Sequence, residues 1–237
     1  MLSQGALSQG VLDGMVAETA PHERRIRMAV TEGIEADDAK RRILDAAAEA
    51  FMEHGFRVAI DDIAESVGAT KGLIYYHFRS KFDIFLAAYE HGMRTVREQV
   101  EPLAHTPGTG RERLIAMSTQ HVVNLMTNLA YHHVVHLGVR EQSSTALKPR
   151  QRKALDELNG LRAAYEDLFL RVVQDGIEDG SLRPVNAKLA ARTLLCSLNA
   201  VDMWFHRIEG QSQEELQQLA REIVDIVVGG LIADPAR

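Results

Sequence analysis

The sequence is nearly without cysteine. Cys196 stands alone among 237 residues, which excludes an internal disulfide and suits a reducing, cytoplasmic compartment. Aromatic residues are scarce at 5%, while the apolar and charged fractions of 46% and 25% are ordinary. This composition excludes a disordered chain, a collagen-like chain and a disulfide scaffold. Positive charge is also lacking. With a net charge of −6 the whole molecule is no general polyanion binder, so any nucleic-acid contact must come from a local basic face. The first twenty residues have neither the basic nor the apolar segment of a secretory signal. No nucleophile elbow, phosphate loop, zinc-protease helix or redox cysteine pair occurs, so no catalytic residue, cofactor or metal is expected.

Charge is locally absent too. Residues 114–139 are 26 positions without Asp, Glu, Lys or Arg, long enough to span a bilayer. Ser118, Thr119, Gln120, Asn124, Thr127, Asn128 and four histidines interrupt the run, which argues for protein interior and against a membrane.

What is present is helical periodicity. Residues 1–37 show none and are expected to form an extension, with a small basic cluster at His22-Glu23-Arg24-Arg25-Ile26-Arg27. A solvated tail is the bland reading of that cluster and a DNA-grasping arm the sharper one. From about Asp38, Ile43, Ala46, Ala47, Ala50 and Phe51 share one helical face, and Gly55 ends it. Short helices follow at about 61–66 and 70–77, then a longer one from a Ser80 cap to about Val100. A loop at 105–110 marks the expected boundary between domains at 38–101 and 111–237. Beyond it Leu114, Met117, His121, Val122, Leu125 and Leu129 form one stripe, and Leu158, Leu161, Tyr165, Leu168 and Val172 another. Residues 186–209 read as one helix, apolar nearly all round, with a thin polar line of Arg192, Asn199 and His206. A last helix covers about 212–232. No segment alternates as a strand, so the fold class is all-α.

Two short helices joined by a glycine turn, behind a packed helix, make a helix-turn-helix. The turn is Val67-Gly68-Ala69, with Ile63, Ala64, Val67 and Ile74 packing the pair. Residues 67–81 carry Lys71, Arg79 and Lys81 and no acid. Thr70 and Ser80 open two helices, where hydroxyls and free N–H groups meet phosphate well. Tyr75 has two readings, a groove contact or a core ring with its hydroxyl tied back. The connector before the second helix is Val58-Ala59-Ile60, without a hydroxyl, so Asp61 is the candidate cap.

The run Gly68-Ala69-Thr70-Lys71-Gly72-Leu73-Ile74-Tyr75-Tyr76-His77-Phe78-Arg79-Ser80-Lys81, with Ala47, Phe51, Gly55, Phe56, Ile63 and Ala64 before it, resembles the signature of TetR-type (tetracycline-repressor-like) regulators. The resemblance covers about residues 40–88 and implies a homodimeric repressor on double-stranded DNA with a palindromic operator. Its larger C-terminal domain would bind a small effector. Lys71 and Tyr75 or Tyr76 would lie at the groove, and Tyr76, His77 and Lys81 would hold phosphates. Gly72 would allow close approach to the DNA backbone. Replacing Tyr76 or Lys81 is therefore expected to weaken operator binding at nearly unchanged stability.

In the C-terminal half, His132 and His136 share a helical face. A metal site needs a third or fourth ligand, and the only cysteine is distant, so satisfied interior histidines are the default. A hydrophobic effector pocket is the stronger expectation, built from His121, Asn124, Leu125, Arg140, Met203 and Trp204. Its motive is the set of polar groups in the uncharged run, which need a ligand or ordered water as partner. A lipid, steroid or acyl-CoA metabolite is one effector class, and a drug or antibiotic the other. A packed core is the bland alternative for each named residue. The apolar residues of 186–209, with Ile223, Ile226, Val227 and Leu231, are expected to form an obligate dimer around or beside Cys196.

Overall fold

A computed structural model describes residues 21–141 and 147–231, with side chains from 37 to 140 and from 147 to 231. Its described α-helices are α1 (Pro21–His54), α2 (Ile60–Ser66), α3 (Lys71–His77), α4 (Lys81–Val100), α5 (Gly110–Thr127), α6 (Leu129–Glu141), α7 (Pro149–Glu178), α8 (Ala187–Asn199) and α9 (Gln213–Gly229). Contacts divide the chain into residues 1–42 and 43–237. In the first unit regular structure begins at Pro21, not near Asp38 as the periodicity suggested. The basic side chains of residues 22–27 and all of residues 1–20 lie outside the described residues.

In the second unit the end of α1 buries Ile43, Leu44, Ala47, Ala48 and Phe51. Phe51 meets Phe85 of α4 edge-on at 5.6 Å. Gly55 takes φ +57 and turns the chain. The carboxylate of Asp62 accepts the Ala59 N–H at 3.1 Å and stands in for a hydroxyl cap on α2. Asp61, the expected cap, instead takes the Lys71 ammonium at 2.9 Å. Gly68, at φ +64, lets Ala69 N–H reach back to the Ala64 carbonyl at 2.8 Å, closing α2. Thr70 and Ser80 cap α3 and α4, each accepting a backbone N–H three residues on. Ile74 is fully buried beneath α3.

Helix α4 joins the two halves of this unit, since Ile84, Phe85, Ala88, Tyr89, Met93, Val96 and Val100 are all buried. Helix α6 lies on α4 with almost no room between them. A methyl placed on Gly92 would sit 3.2 Å from the Tyr131 carbonyl oxygen, and one on Gly138 would sit 2.9 Å from the Tyr89 ring. Tyr131 of α6 donates its hydroxyl to Asp45 on α1 at 2.6 Å.

Two expected helices are broken. The uncharged run is not continuous: α5 ends at Thr127, and Asn128 turns the chain into α6, so the run folds back on itself. Residues 186–209 do not form one helix. Helix α8 stops at Asn199, a 3-10 turn covers Ala200–Met203, and His206 and Glu209 lie exposed beyond it. No helix among the described residues is long and apolar enough to cross a membrane.

Candidate functional site

The first candidate surface is α3. Burial of Ile74 and Phe78 fixes the roll of this two-turn helix. Lys71 and Gly72 are left exposed, with Tyr75 at 49% and Tyr76 at 78% exposure. Tyr75 is thus surface, not core. His77 is half-buried beside Tyr76, their rings 5.0 Å apart. The ammonium of Lys71 rests on Asp61, which raises its pKa. An exposed pair of this kind is weak, so the cation is free to exchange its carboxylate for a phosphate. The Thr70 hydroxyl is exposed above its cap. The Ser80 hydroxyl donates to Asp83 at 2.8 Å, so its proton is already used.

Lys81 departs from its expected part. Its ammonium donates to the carbonyls of Phe56 at 2.6 Å and Val58 at 2.8 Å, and the side chain is half-buried. Those carbonyls belong to the 3-10 turn (Gly55–Arg57) and the connector between α1 and α2. Lys81 therefore ties the start of α4 to that connector, 23 and 25 residues earlier in the chain. It is not a free surface cation.

The second site is a cavity of about 410 Å³ bounded by α4, α5, α6, α7, α8 and the turn after α8. Met93, Val96, Val135, Val139 and Leu195 supply apolar wall, and Arg140 and Arg192 stand at its exposed edges. Of the residues expected from the sequence, His121, Arg140 and Met203 line it. Asn124, Leu125 and Trp204 do not: the first two are buried in the core behind it, and the Trp204 ring is 53% exposed beside Phe205.

The Ser118 hydroxyl of the uncharged run is buried without a partner among the described residues, but Asn124, His121 and His132 are hydrogen-bonded within the fold. These three answer one another and groups on other helices. His132 Nε2 donates to Asn124 Oδ1 at 2.8 Å, and Asn124 Nδ2 donates to Gln99 Oε1 at 3.0 Å. His121 Nδ1 lies 2.9 Å from the Tyr165 hydroxyl, and His121 Nε2 lies 3.1 Å from Asn199 Oδ1. Burial lowers the His121 pKa to about 4 despite the Asn199 hydrogen bond, and a nearby His136 adds to the lowering. Burial also holds His132 well below and Tyr165 well above their ordinary values. His136 lies 3.0 Å and His133 3.6 Å from Asp202 Oδ2. Among the described residues no group of three His, Cys, Asp or Glu could hold a metal ion.

Sequence reasoning missed Tyr165, Arg162 and Glu166 of α7, and Asp202 after α8, as cavity residues. Arg192 and Asn199 carried a signal, the polar line on an otherwise apolar segment, but nothing local showed what they faced. Cys196 also lines the cavity, from an exposed position on α8.

Comparison with known proteins identifies the family of both parts of the chain. Residues 43–88 match the description "Bacterial regulatory proteins, tetR family", and residues 107–231 match "Tetracyclin repressor-like, C-terminal domain". A fatty acid metabolism regulator protein of Bacillus subtilis (strain 168) is 23% identical over 193 residues, covering 80% of this chain and 94% of that protein. A solved structure of the transcriptional regulator FadR from Bacillus subtilis, in complex with stearoyl-CoA, has a similar fold. Its TM-score is 0.60 at 22% identity, covering 81% of this chain and 98% of that one. AibR in complex with isovaleryl coenzyme A and operator DNA is similar at a TM-score of 0.62 and 22% identity, covering 79% of this chain and 97% of that one. The helix-turn-helix match and a C-terminal match that spans over half of the sequence lead to one conclusion: the chain belongs to the tetR family of bacterial regulatory proteins.

Proposed function

We propose that this protein is a homodimeric transcriptional repressor that leaves a palindromic operator when a fatty acyl-CoA enters the cavity. The carrying observation is that α6 is at once a wall of the cavity and a neighbour rigidly seated on α4. Val135, His136, Val139 and Arg140 of α6 line the cavity. On the same helix Gly138 admits the Tyr89 and Phe85 rings of α4, and Tyr131 holds Asp45 of α1. A ligand that displaces α6 must displace α4, and with it α3. An operator is read by two recognition helices about 34–36 Å apart, so a small rotation of each is enough for release.

An apolar wall with arginines at its exposed edges suits a chain that is greasy at one end and polyanionic at the other. The volume falls within the usual range of ligand pockets, roughly 300–1,000 Å³. Acyl-CoA complexes of AibR and FadR, and the fatty-acid regulator relative, support the same class. On the DNA side, Thr70, Lys71, Gly72, Tyr75, Tyr76 and His77 form the contact face, with Ser80 and Lys81 behind it. On the dimer side, Leu189 of α8 is 63% exposed and Ile226 of α9 80% exposed. An apolar groove lined by Val185, Leu189, Val227 and Leu231 runs between these two helices. Two copies pairing through α8 and α9 would cover this surface.

The test is operator release followed by fluorescence anisotropy, on a duplex selected from a random palindromic library. Stearoyl-CoA, isovaleryl-CoA, free stearate, an aromatic acid and CoA alone would be titrated in turn. Release by an acyl-CoA at micromolar concentration, with none by CoA alone, is the expected result. DNA binding that no acyl-CoA shifts would overturn the effector assignment and leave the DNA-binding one standing.

A further inference from the structure

The cavity contains one polar device with a readable direction. It begins at Tyr165, whose hydroxyl is buried and has a single hydrogen-bond neighbour among the described residues, His121 Nδ1 at 2.9 Å. If His121 carried its proton on Nδ1, the tyrosine oxygen would have to accept. Its own O–H would then be buried without a partner, a penalty that folded proteins avoid. The O–H must therefore donate to Nδ1. That places the imidazole proton on Nε2, where it donates to Asn199 Oδ1 at 3.1 Å. The neutral imidazole this requires is enforced by burial.

The relay runs Tyr165 to His121 to Asn199 and settles which way the terminal amide faces. With Oδ1 committed to the histidine, Nδ2 occupies the other branch of the amide. It makes no hydrogen bond among the described residues. Asn199 lines the cavity and is only half-buried. The cavity is thus provided with an oriented pair of N–H donors on an otherwise mainly apolar wall.

From this we infer that Asn199 Nδ2 receives a carbonyl oxygen of the effector, so that the cavity selects ligands by the carbonyl that joins their hydrocarbon chain to the polar head. His121 and Tyr165 are positioning residues that act through Asn199. The inference rests on the reading of the cavity as an acyl-CoA site and adds the group that reads the thioester. A site built to hydrogen-bond one oxygen rejects an analogue that lacks it far more sharply than a hydrophobic wall rejects a missing methylene.

The experiment compares palmitoyl-CoA with S-hexadecyl-CoA, in which a methylene replaces the carbonyl. Both are titrated against the full-length protein on its operator by anisotropy, and the ratio of half-release concentrations is read. The wild-type protein is expected to respond to the thioester at a concentration at least tenfold lower than to the thioether. Asn199→Asp keeps the oxygen that accepts from His121 and replaces the donor by an acceptor. Asn199→Leu removes the donor without adding charge. Both are expected to bring the ratio to within about twofold of one. Any general loss of affinity, including repulsion of the CoA phosphates by an added carboxylate, acts on both ligands and cancels in the ratio. Tyr165→Phe releases the relay at its source and is expected to reduce the ratio, since any general effect on the cavity wall acts on both ligands alike.

Equal response of the wild-type protein to the two ligands would overturn the role of Asn199 while the effector class stands. So would an undiminished ratio in either Asn199 variant. Failure of both ligands to release the wild-type protein would overturn the effector reading, and this inference with it.

Discussion

Lys81→Ala separates two functions that the sequence could not tell apart. As a phosphate contact, Lys81 would be dispensable for stability. Its loss would weaken binding to every duplex alike and reduce the salt slope by about one. The structure instead has both of its hydrogen bonds spent on the carbonyls of Phe56 and Val58. A hydrogen bond from a charged donor is worth about 1.5–3 kcal/mol. Half-exposure takes both bonds to the bottom of that range, and removing a cation from a helix N-terminus returns about 0.5 kcal/mol. The net loss is about 2.5 kcal/mol, or a fall in Tm of about 5–10 °C for a chain of this length. Thermal unfolding by circular dichroism at fixed protein concentration measures it, with operator and random-duplex titrations at three salt concentrations alongside. Tyr76→Ala is the counterpart. With its ring 78% exposed, it should lose operator affinity about tenfold with Tm unchanged within about 1 °C. An unchanged Tm for Lys81→Ala, together with a salt slope reduced by one, would refute the carbonyl-tie argument and restore Lys81 to the phosphate set.

Acid should destabilise the protein over a defined window. His121 is neutral in both states at pH 7, but the unfolded chain gains a proton below pH 6.5 that the folded chain refuses until about pH 4. Stability therefore falls as pH drops through that interval, by about 3 kcal/mol for this group, and His132 acts in the same direction. Urea unfolding at pH 7, 6 and 5 should show the fall, with a shallower slope in His121→Leu; equal slopes in the two proteins would contradict the assignment. Ile226→Asp places a charge on the most exposed apolar position of α9 and should turn a dimer into a monomer by light scattering at micromolar concentration, with operator affinity lost. A dimer that persists would exclude α9 from the interface.

Local chemistry determined much of this protein before any fold was known. Glycine at 68, Thr70 and Ser80 as caps, and apolar residues at 63, 64 and 74 are short-range instructions, and the helix-turn-helix follows from them almost alone. The all-α class was equally legible, because helical periodicity is a property of neighbouring residues. Helix ends without a glycine or proline signal were not. The breaks at Asn128 and Asn199 fall where apolar periodicity continues across them, whereas α1 begins at Pro21 in a stretch that carries no apolar periodicity at all. Lys81 reads as a phosphate contact from the family resemblance and its place beside the turn. The carbonyls it satisfies lie 23 and 25 residues away, and only the close approach of α4 to the connector brings them together. The polar groups of the uncharged run posed the same problem on a larger scale. Their partners, Gln99, Tyr165 and Asn199, sit on three other helices. A sequence records which side chains must be satisfied when buried, but which groups satisfy them depends on distances that only packing sets. That Tyr165, His121 and Asn199 meet at all was decided by tertiary structure alone.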